Sequence, residues 1–561
     1  MYANRINLEI FLSKQPTDSL SLLKQLNTLG VALSQEEDHV LLLEMFTVGA
    51  KELTHADGST LYLCHEDDNK MHFEIVHTDS LNLHLGGKQG EPVNFAPITL
   101  YYEDGTENLQ NVVACAAVKK KTFNIHDAYT NDDFDFSGTR FFDAKTGYHS
   151  KSFLTVPMYN HEHALVGVLQ LINAHDPETG AISTFSELDQ QIVESLASQV
   201  AITLTNKQLI EAQKELFESF LQLIANAIDE KSPYTAGHCR RVPVLTNMLA
   251  QATCEIAHGP LRSFCMTEQE MYALNIAGWL HDCGKITTPG HVVDKSTKLE
   301  TIYDRIATID TRFEVLKRDA VITALKQQLN VSAEDELEVD QKLDTTLEQL
   351  DNDRAFIHQC NIGAESMSDL SQQRIKKIAE YQWQGITGEK TAFLSDDEVY
   401  NLSVYKGTLN QEERNIVNHH IVVTINMLES LPYPKKLRNV VEYAGGHHEK
   451  MDGTGYPKGL TKDEMSIPAR MMAIADIFEA LTAADRPYKK AMALSQALTI
   501  LGKMKLNNHI DADLFDVFIW QKIYLKYAHE FLAPEQCDDF SLQDIPGYVA
   551  PEGSEPAMHG V

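Results

Sequence analysis

Apolar and polar residues alternate differently in the two halves of the chain. Short segments of alternating character, among them 73–76, 152–157 and 166–173, follow an early helical pattern near 20–50. Alternation with a period of two is typical of strands that bury one face. After residue 230 such segments become rare, and amphipathic helical patterns with polar turns dominate to about residue 532. The pattern predicts a multidomain protein, with an α+β domain followed by an all-α domain.

One long helix is predicted between the two domains. The segment 187–229 contains neither proline nor glycine, and its apolar residues recur at helical spacing. Parallel pairing with a second copy would make this helix a signalling coiled coil and the protein a homodimer. Because the apolar spacing is not a clean heptad, a helix packed into the core of one chain is the alternative.

The second half also contains an insertion. Residues 331–354 are acidic and poor in aromatic residues, and helical patterns flank them. The predicted order is an N-terminal helical segment at 1–24, a first domain at 25–205, the connecting helix at 187–229, an all-α domain at 225–532 with a helical insertion at 301–408, and a C-terminal tail at 533–561.

Charge and composition exclude several classes of function. The 561 residues include 48 Lys and Arg against 80 Asp and Glu, a formal charge of −32, so binding to nucleic-acid polymers or anionic membranes is not expected. No apolar run approaches the roughly 18 residues of a membrane span, and the N-terminus does not resemble a leader, so we expect a cytoplasmic protein. The eight cysteines form no C-x-x-C pair, which predicts reduced thiols.

Histidine and aspartate residues form clusters in the second half of the chain. The segments that contain these clusters have a net charge close to zero. The candidates are His238, the pair His281 and Asp282, the pair His419 and His420, the pair His447 and His448, and Asp476. Imidazole with carboxylate suits Fe, Mn or Zn. Asp476 lies in an apolar helical segment, where an unpaired charge would be costly and a cation would offset that cost. Two metals that share a bridging carboxylate would accommodate the adjacent histidines.

Two motifs resemble one enzyme family. The segments 281–285 (HDCGK) and 447–457 (HHEKMDGTGYP) resemble the HD-GYP family, metal-dependent phosphohydrolases that degrade bacterial cyclic dinucleotides. Further matches lie at Lys295, 467–470, 476–482 and 486–489. The resemblance covers about 225–300 and 409–520.

The first domain resembles a GAF domain, a fold that senses small molecules. The resemblance is carried by the strand that ends at Asn173 and by Phe185 and Asp189, whereas Ala174 and Gln190 depart from the cyclic-nucleotide-binding pattern. An unknown small ligand or partner is therefore expected for this domain, and a dimerising scaffold is the alternative.

The resemblance implies a set of site residues. One metal would be held by His238, His281, Asp282 and Asp476, and Asp282 would bridge to a second metal held by His420, His447 and His448. His420 is preferred to His419 because Leu428 meets the family spacing. The expected cofactors are two divalent or redox-active metals, most readily iron as a di-iron centre, with manganese as the alternative. Members with three metals carry a Glu where this chain has Tyr234, so two metals are expected.

The family also implies phosphate contacts. Lys285, Arg486 and Lys489 match positions that touch the phosphates of the substrate, although the segment before Arg486 is one residue longer than usual. Asp282 and Lys285 are the expected catalytic residues. Tyr456 would contact the substrate near a guanine or would instead lock the turn. Two metals can lower the pKa of a shared water and neutralise charge that develops on a phosphodiester.

The predicted function is hydrolysis of cyclic di-GMP to linear pGpG, GMP or both, under control of the GAF-like domain. Hydrolysis of 3′,3′-cyclic GMP-AMP is an alternative, because no residue that reads the base is identified. A non-catalytic cyclic-dinucleotide receptor or scaffold is a second alternative, and the complete ligand set argues against it. A di-iron oxygenase is a third, and Lys285, Arg486 and the Gly-Tyr-Pro turn argue for a phosphate substrate.

Overall fold

The computed structural model describes residues 19–36, 38–65, 68–88, 90–231, 237–330, 336–363, 366–384, 388–484 and 491–550. Within the chain, residues 1–216 and 217–561 form two compact units. Most of the N-terminal helical segment predicted at 1–24 lies outside the described residues, as do Tyr234, Arg486 and Lys489. None of the described helices is long and apolar enough to cross a membrane.

The first unit is an antiparallel sheet with helices on both faces. Its helices are α1 (Ser19–Gln35), α2 (His39–Leu53), α3 (Val112–Lys119) and α4 (Ser137–Thr146). Its strands are β1 (Ala56–His65), β2 (Lys70–Thr78), β3 (Leu83–Gly86), β4 (Ile98–Thr99), β5 (Phe123–Ile125), β6 (Phe153–Tyr159), β7 (Leu165–His175) and β8 (Ile182–Ser183). The sheet order is β3-β2-β1-β7-β6-β5, with β4 beside β2 and β8 beside β7. This arrangement confirms the α+β prediction.

The alternating pattern of the strands builds two cores. Leu61 and Leu169 lie in a core with apolar residues of α1, α2 and helix α5 (Glu187–Asp229). Their sequence neighbours Tyr62 and Val168 lie in the other core, which includes α3. Successive side chains of a strand point to opposite faces, which explains the division. Helix α5 has the bounds expected from the sequence and contains both the end of the first unit and the beginning of the second.

The second unit is helical. Its helices are α6 (His238–Glu255), α7 (Glu268–Leu280), α8 (Gly290–Val293), α9 (Ile306–Gln328), α10 (Glu336–Asn361), α11 (Asp369–Ala379), α12 (Asp396–Leu402), α13 (Gln411–Asn418), α14 (His420–Glu429), α15 (Val440–Gly445), α16 (Ile467–Thr482), α17 (Leu494–Leu506), α18 (Ala512–Trp520) and α19 (Ile523–Phe531). A 3₁₀ turn spans Cys283–Thr287. The largest core joins α6, α7 and α14 to α19.

The predicted insertion has a core of its own. Ile309, Phe313, Ile357 and Phe393 are fully buried there. The expectation of helices is confirmed except for a short hairpin formed by β9 (Gln382–Gln384) and β10 (Lys390–Ala392). The hairpin strands are too short to give a readable alternating pattern, so the sequence did not reveal them.

Local sequence signals set where the site helices begin and end. Thr267 and Glu270 form a reciprocal capping box at the start of α7. Ser466 caps α16, and Asp511 caps α18 by accepting from the backbone amides of Asp513 and Leu514. Gly284 is required by close packing, because an added Cβ would lie 2.0 Å from the carbonyl oxygen of His420.

Candidate metal centre

Most of the predicted ligands lie at or just beyond the ends of helices. His238 is the first residue of α6, and His281 directly follows the last residue of α7. His420 opens α14, while His447 and His448 come just after α15. Asp476 lies inside α16. Residues separated by more than two hundred positions in the chain therefore converge on one buried region.

The first group consists of His238, His281 and Asp476, whose candidate ligand atoms lie within 4.8 Å of one another. The Nε2 atoms of His238 and His281 are 3.3 Å apart. Asp476 Oδ1 lies 3.2 Å from Nε2 of His238 and 3.7 Å from Nε2 of His281. Two imidazoles and a carboxylate that face one point are a suitable donor set for a first-row transition metal.

The second group consists of Asp282, His420, His447 and His448, again within 4.8 Å. His420 Nε2 lies 3.2 Å from His448 Nε2 and 3.2 Å from Asp282 Oδ1. The other oxygen of Asp282, Oδ2, lies 3.3 Å from His238 Nε2 and 3.2 Å from His281 Nε2. The single carboxylate of Asp282 thus faces both groups, one oxygen to each.

Backbone carbonyls orient three of the imidazoles. The Nδ1 atoms of His281, His420 and His447 lie 2.7, 2.6 and 2.6 Å from the carbonyl oxygens of Gly278, Val417 and Ala444. A carbonyl can only accept, so each Nδ1 carries a proton and Nε2 is the nitrogen that faces the centre and can coordinate a metal once it is unprotonated. In every case the partner lies three residues earlier. Outer contacts of this kind fix the tautomer of a metal-binding histidine.

Two buried polar atoms support a cation in the centre. Among the described residues, His447 Nε2 and Asp282 Oδ1 have no hydrogen-bond partner, although His447 is 2% exposed and Asp282 is 2% exposed. Burying unsatisfied polar atoms is costly. A metal ion coordinated by these atoms would remove that cost, so the residues fit the metal centre that the sequence implies.

The two groups differ in protonation. Burial alone would lower the pKa of His281, but the Asp282 carboxylate raises it to about 9. Burial likewise opposes charge on His238, yet its carboxylate neighbours, first of them Glu479, raise its pKa well above the usual range. In the second group, burial lowers the pKa of His448 to about 4 and that of His447 well below its usual range.

Lys285 and Tyr456 flank the ligands. Lys285 Nζ lies 2.5 Å from Asp282 Oδ2, and its side chain remains partly exposed. The Asp282 carboxylate outweighs burial and raises the pKa of Lys285, which keeps it an ammonium. The Tyr456 ring stacks on the His448 ring with centroids 4.8 Å apart, and burial raises the pKa of Tyr456 to about 12. Tyr456 therefore packs directly against a candidate ligand.

Sequence reasoning did not assign a role to two glutamates. Glu479 pairs with Nδ1 of His238 through Oε2 and accepts from Arg241 Nε at 2.7 Å through Oε1. Glu449 accepts from the backbone amides of Lys458 and Leu460 at 2.7 and 2.9 Å, which ties down the Gly-Tyr-Pro loop. The spacing of Glu479 from Asp476, three residues along the same helix, was the available signal.

Other residues considered in the sequence lie away from the ligands. His419 is exposed, in keeping with the preference for His420. Cys283 is buried in the helical core. Lys295 is buried and forms an ion pair with Glu413 at 2.7 Å. Arg486 and Lys489 lie outside the described residues, so their phosphate contacts stay predictions.

Comparison with known proteins identifies the class of both domains. Residues 38–204 match the family model of the GAF domain, and residues 394–514 match that of the HD domain. The chain therefore carries a GAF domain followed by an HD domain. The HD match includes His420, His447, His448 and Asp476, whereas His238, His281 and Asp282 precede it.

The relatives that align with this chain include several phosphodiesterases that act on cyclic dinucleotides. A 3′3′-cGAMP-specific phosphodiesterase 3 of Vibrio cholerae is 24% identical over 374 residues, which cover 64% of this chain and 53% of the relative. A 3′3′-cGAMP-specific phosphodiesterase 1 of the same organism is 44% identical over 80 residues, 14% of this chain and 18% of the relative. A cyclic di-GMP phosphodiesterase of Pseudomonas aeruginosa is 36% identical over 113 residues, 20% of this chain and 26% of the relative. The chain thus spans at most about half the length of these relatives, and the resemblance to HD-GYP phosphodiesterases is confirmed.

Proposed function

We propose that this protein is a metal-dependent phosphodiesterase that hydrolyses cyclic di-GMP to linear pGpG, GMP or both. The observation that carries the proposal is the placement of Asp282, whose two oxygens face two separate groups of imidazole and carboxylate ligands. His238, His281, Asp282 and Asp476 would hold one metal, and Asp282, His420, His447 and His448 would hold the other. Iron is the proposed metal and manganese the alternative, since both suit these donors.

The chain's own residues explain how a phosphodiester would be positioned. Bound metals would supply Lewis acidity and a water of lowered pKa. Asp282 would hold both ions at a fixed separation, and the backbone carbonyls behind three imidazoles would keep the ligand lone pairs aimed inward. Lys285, charged and partly exposed beside Asp282, would donate to a non-bridging phosphate oxygen as negative charge develops there. Tyr456, Arg486 and Lys489 are the remaining proposed substrate contacts.

A second substrate, 3′,3′-cyclic GMP-AMP, is favoured by one observation. The relative that aligns over 64% of this chain is named as specific for 3′3′-cGAMP. Both candidates are doubly anionic rings with two phosphodiesters, so the metal centre alone does not separate them. Discrimination between the two substrates would have to come from contacts to the base. A site built to hydrogen-bond a polar group of one substrate is left with an unpaired polar group of its own when the other substrate binds.

The decisive experiment is a product assay on the full chain loaded with iron or manganese. We expect either cyclic dinucleotide, supplied separately, to yield a linear product, with the ratio of kcat/KM values ranking the two substrates. The Asp282→Ala protein is the inactive control, and Asp463→Ala, which changes an exposed carboxylate, is the active one. A loaded protein that binds a cyclic dinucleotide but leaves both intact would support a non-catalytic receptor instead.

The GAF domain offers a place for a regulatory ligand. A cavity of about 600 Å³, within the range of small-molecule sites, lies inside this domain. Its aromatic lining consists of Tyr62, Phe73, Phe95, Phe136, Phe142, Tyr148 and Phe153. We therefore expect a compact ligand with a flat apolar part, which mass spectrometry of small molecules released from the denatured protein would detect. If the purified protein retains no ligand and turnover does not depend on this cavity, the GAF domain is better interpreted as a scaffold.

Homodimerisation is proposed through helix α5. Ile202, Leu209 and Leu216 are 38%, 55% and 59% exposed and stand seven residues apart on this helix. The exposed apolar residues of the first unit thus include a heptad-spaced seam, although the full apolar pattern of the helix is not a clean heptad. Light scattering should report a dimer that Leu209→Glu dissociates and Glu211→Lys does not.

A further inference from the structure

The last turns of helix α5 belong to the core of the helical second unit. Leu221, Ala225 and Ile228 are buried there at helical spacing, so they form one face of α5. The same helix begins in the first unit, where Val193 and Val200 are buried in a core of the GAF domain. One continuous helix therefore has side chains buried in the cores of both units.

Asp229, the final residue of α5, caps the helix that follows. Helix α6 begins after Gly237, which has no side chain that could cap it. The buried carboxylate of Asp229 accepts from the backbone amide of Gly237 at 3.0 Å and from the backbone amide and thiol of Cys239. The first amides of a helix have no partners within it, and a carboxylate beside them is favourable. Asp229 therefore serves as an N-cap of α6 that the preceding helix supplies.

The capped turn contains a proposed metal ligand. His238 stands between Gly237 and Cys239, so the two residues held by Asp229 are its neighbours on either side. The imidazole of His238 is held separately, because its Nδ1 pairs with Glu479. The backbone and the ring of His238 thus have different supports, and the support of the backbone comes from α5.

A second contact from the end of α5 reaches another part of the centre. Lys231, two residues beyond Asp229, has its Nζ 3.0 Å from the carbonyl oxygen of Lys285 and also donates to the carbonyl oxygen of Ile286. Both carbonyls belong to the 3₁₀ turn Cys283–Thr287, which directly follows Asp282. The ammonium of Lys231 therefore holds the turn from which Lys285 extends.

We propose that Asp229 and Lys231 are positioning residues through which helix α5 sets the place of His238 and of the turn that carries Lys285. Because rigid secondary elements carry displacements between distant parts of a protein, a shift or rotation of α5 in the GAF domain would reach both contacts. The inference rests on the proposed phosphodiesterase function and names the route by which the GAF domain would control it. Neither residue coordinates metal or touches substrate in that mechanism.

The first test titrates the chelator-stripped full chain with Mn²⁺. Asp229→Ala should weaken the binding of one metal by about tenfold to a hundredfold, the usual contribution of residues that support a metal ligand, and leave the other unchanged. Asp229→Asn should retain most of this affinity, because an amide oxygen also accepts from helix amides. The matched control is Thr267→Ala, which removes the cap at the start of α7, whereas His281 follows the end of that helix.

Two results of the titration would overturn the role of Asp229. One is unchanged affinity for both metals in Asp229→Ala protein that circular dichroism shows to be folded. The other is an equal weakening in Thr267→Ala, which would mean that loss of any helix cap lowers metal affinity. This readout requires no turnover, so it tests the inference even if the protein leaves both cyclic dinucleotides intact, a result that would refute the proposed function alone.

The second test concerns Lys231. Lys231→Ala should lower kcat/KM by up to about a hundredfold with both metals retained, as a displacement of about 1 Å at a reacting group can do. Lys231→Arg should restore part of the activity, because its guanidinium can still donate to the carbonyls of the turn. Normal kcat/KM in Lys231→Ala would show that this lysine does not position the turn.

The route through α5 is tested by reciprocity. If the place of α5 changes the affinity for metal, metal binding must change α5 in return. Hydrogen exchange of the α5 amides at 206–216, which lie in the first unit, should slow when Mn²⁺ binds to the unmodified chain. Asp229→Ala should reduce this response, and Thr267→Ala should preserve it. Identical exchange with and without Mn²⁺ in the unmodified chain would overturn the route.

Discussion

The two candidate ligand groups contain the same residue types, but their imidazoles differ in protonation. The carboxylates of Glu479, Asp282 and Asp476 raise the pKa of His238, and those of Asp282 and Asp476 raise the pKa of His281. For His447 and His448, burial outweighs the attraction of Asp476 and Asp282 and lowers the pKa values of both imidazoles. Because a ligand imidazole must be neutral, a cation entering the first group has to displace protons, whereas His447 and His448 of the second group are already unprotonated.

This difference shows what Asp282 contributes. Its carboxylate stabilises positive charge in the first group and presents its other oxygen to the second, at 3.2 Å from His420 Nε2. Lys285 and the histidines, opposing burial, hold the pKa of Asp282 well below its usual range, so it stays ionised. The two groups are therefore coupled through one residue, and replacing that residue should affect both.

The largest effect is expected for Asp282→Ala. Loss of the shared carboxylate should release both metals and lower kcat by about a thousandfold or more, as removal of a central catalytic group commonly does. Metal analysis and turnover should fall together. Full metal content with normal turnover would refute the shared role and leave two independent groups.

A smaller, one-sided effect is expected for Glu479→Gln. Glu479 contacts His238 in the first group, and outer partners of this kind typically contribute about 10- to 100-fold to metal affinity. Titration should show weaker binding of one metal and unchanged binding of the other. Glu449→Gln is the matched control, because Glu449 ties a loop beside the second group by accepting backbone amides. Equal weakening of both metals by Glu479→Gln would remove the distinction between the groups.

Lys285→Ala should act on the substrate and spare the metals. Its ammonium contacts Asp282 but belongs to neither ligand set. We expect kcat/KM to fall about tenfold to a hundredfold with both metals retained, the range for loss of a charge-assisted contact to the reacting group. Lys285→Arg should restore part of the activity. Loss of metal from the alanine protein would mean that Lys285 stabilises Asp282 and not the phosphate.

The residues that form the two candidate ligand groups were easier to predict from the sequence than the contacts around them. Contiguous motifs can be recognised in a sequence because their residues are neighbours in the chain. The residues found in this way are His281, Asp282, His447 and His448. The fold class could also be predicted from the sequence, because apolar residues recur with different periods in strands and helices. The choice of His420 over His419 rested on spacing, and only His420 joins the described ligand groups.

What the sequence could not supply depends on contacts between distant segments. The pairing of His238 with Glu479 joins two helices more than two hundred residues apart, and no local pattern encodes it. The direct opposition of His77 on β2 and His84 on β3 depends on the register of their hairpin, and a shift by one residue would separate the two side chains. The hairpin inside the insertion was missed because three-residue strands have no readable period.

The smallest effect is expected in the pH dependence of stability of chelator-treated protein. It tests most directly whether the two candidate ligand groups differ in protonation. The folded-state pKa of His281, about 9, lies above the ordinary 6.5, so its stabilising contribution is complete below pH 6.5 and is lost as the pH rises through 9. The pKa of His448, about 4, lies below 6.5, so the unfolded chain binds more protons between these values and stability falls as the pH drops from 6.5 through 4. Melting temperatures should therefore lose their alkaline decline in His281→Gln and part of their acid decline in His448→Gln. Identical pH profiles for the two variants would show that the groups do not differ in protonation.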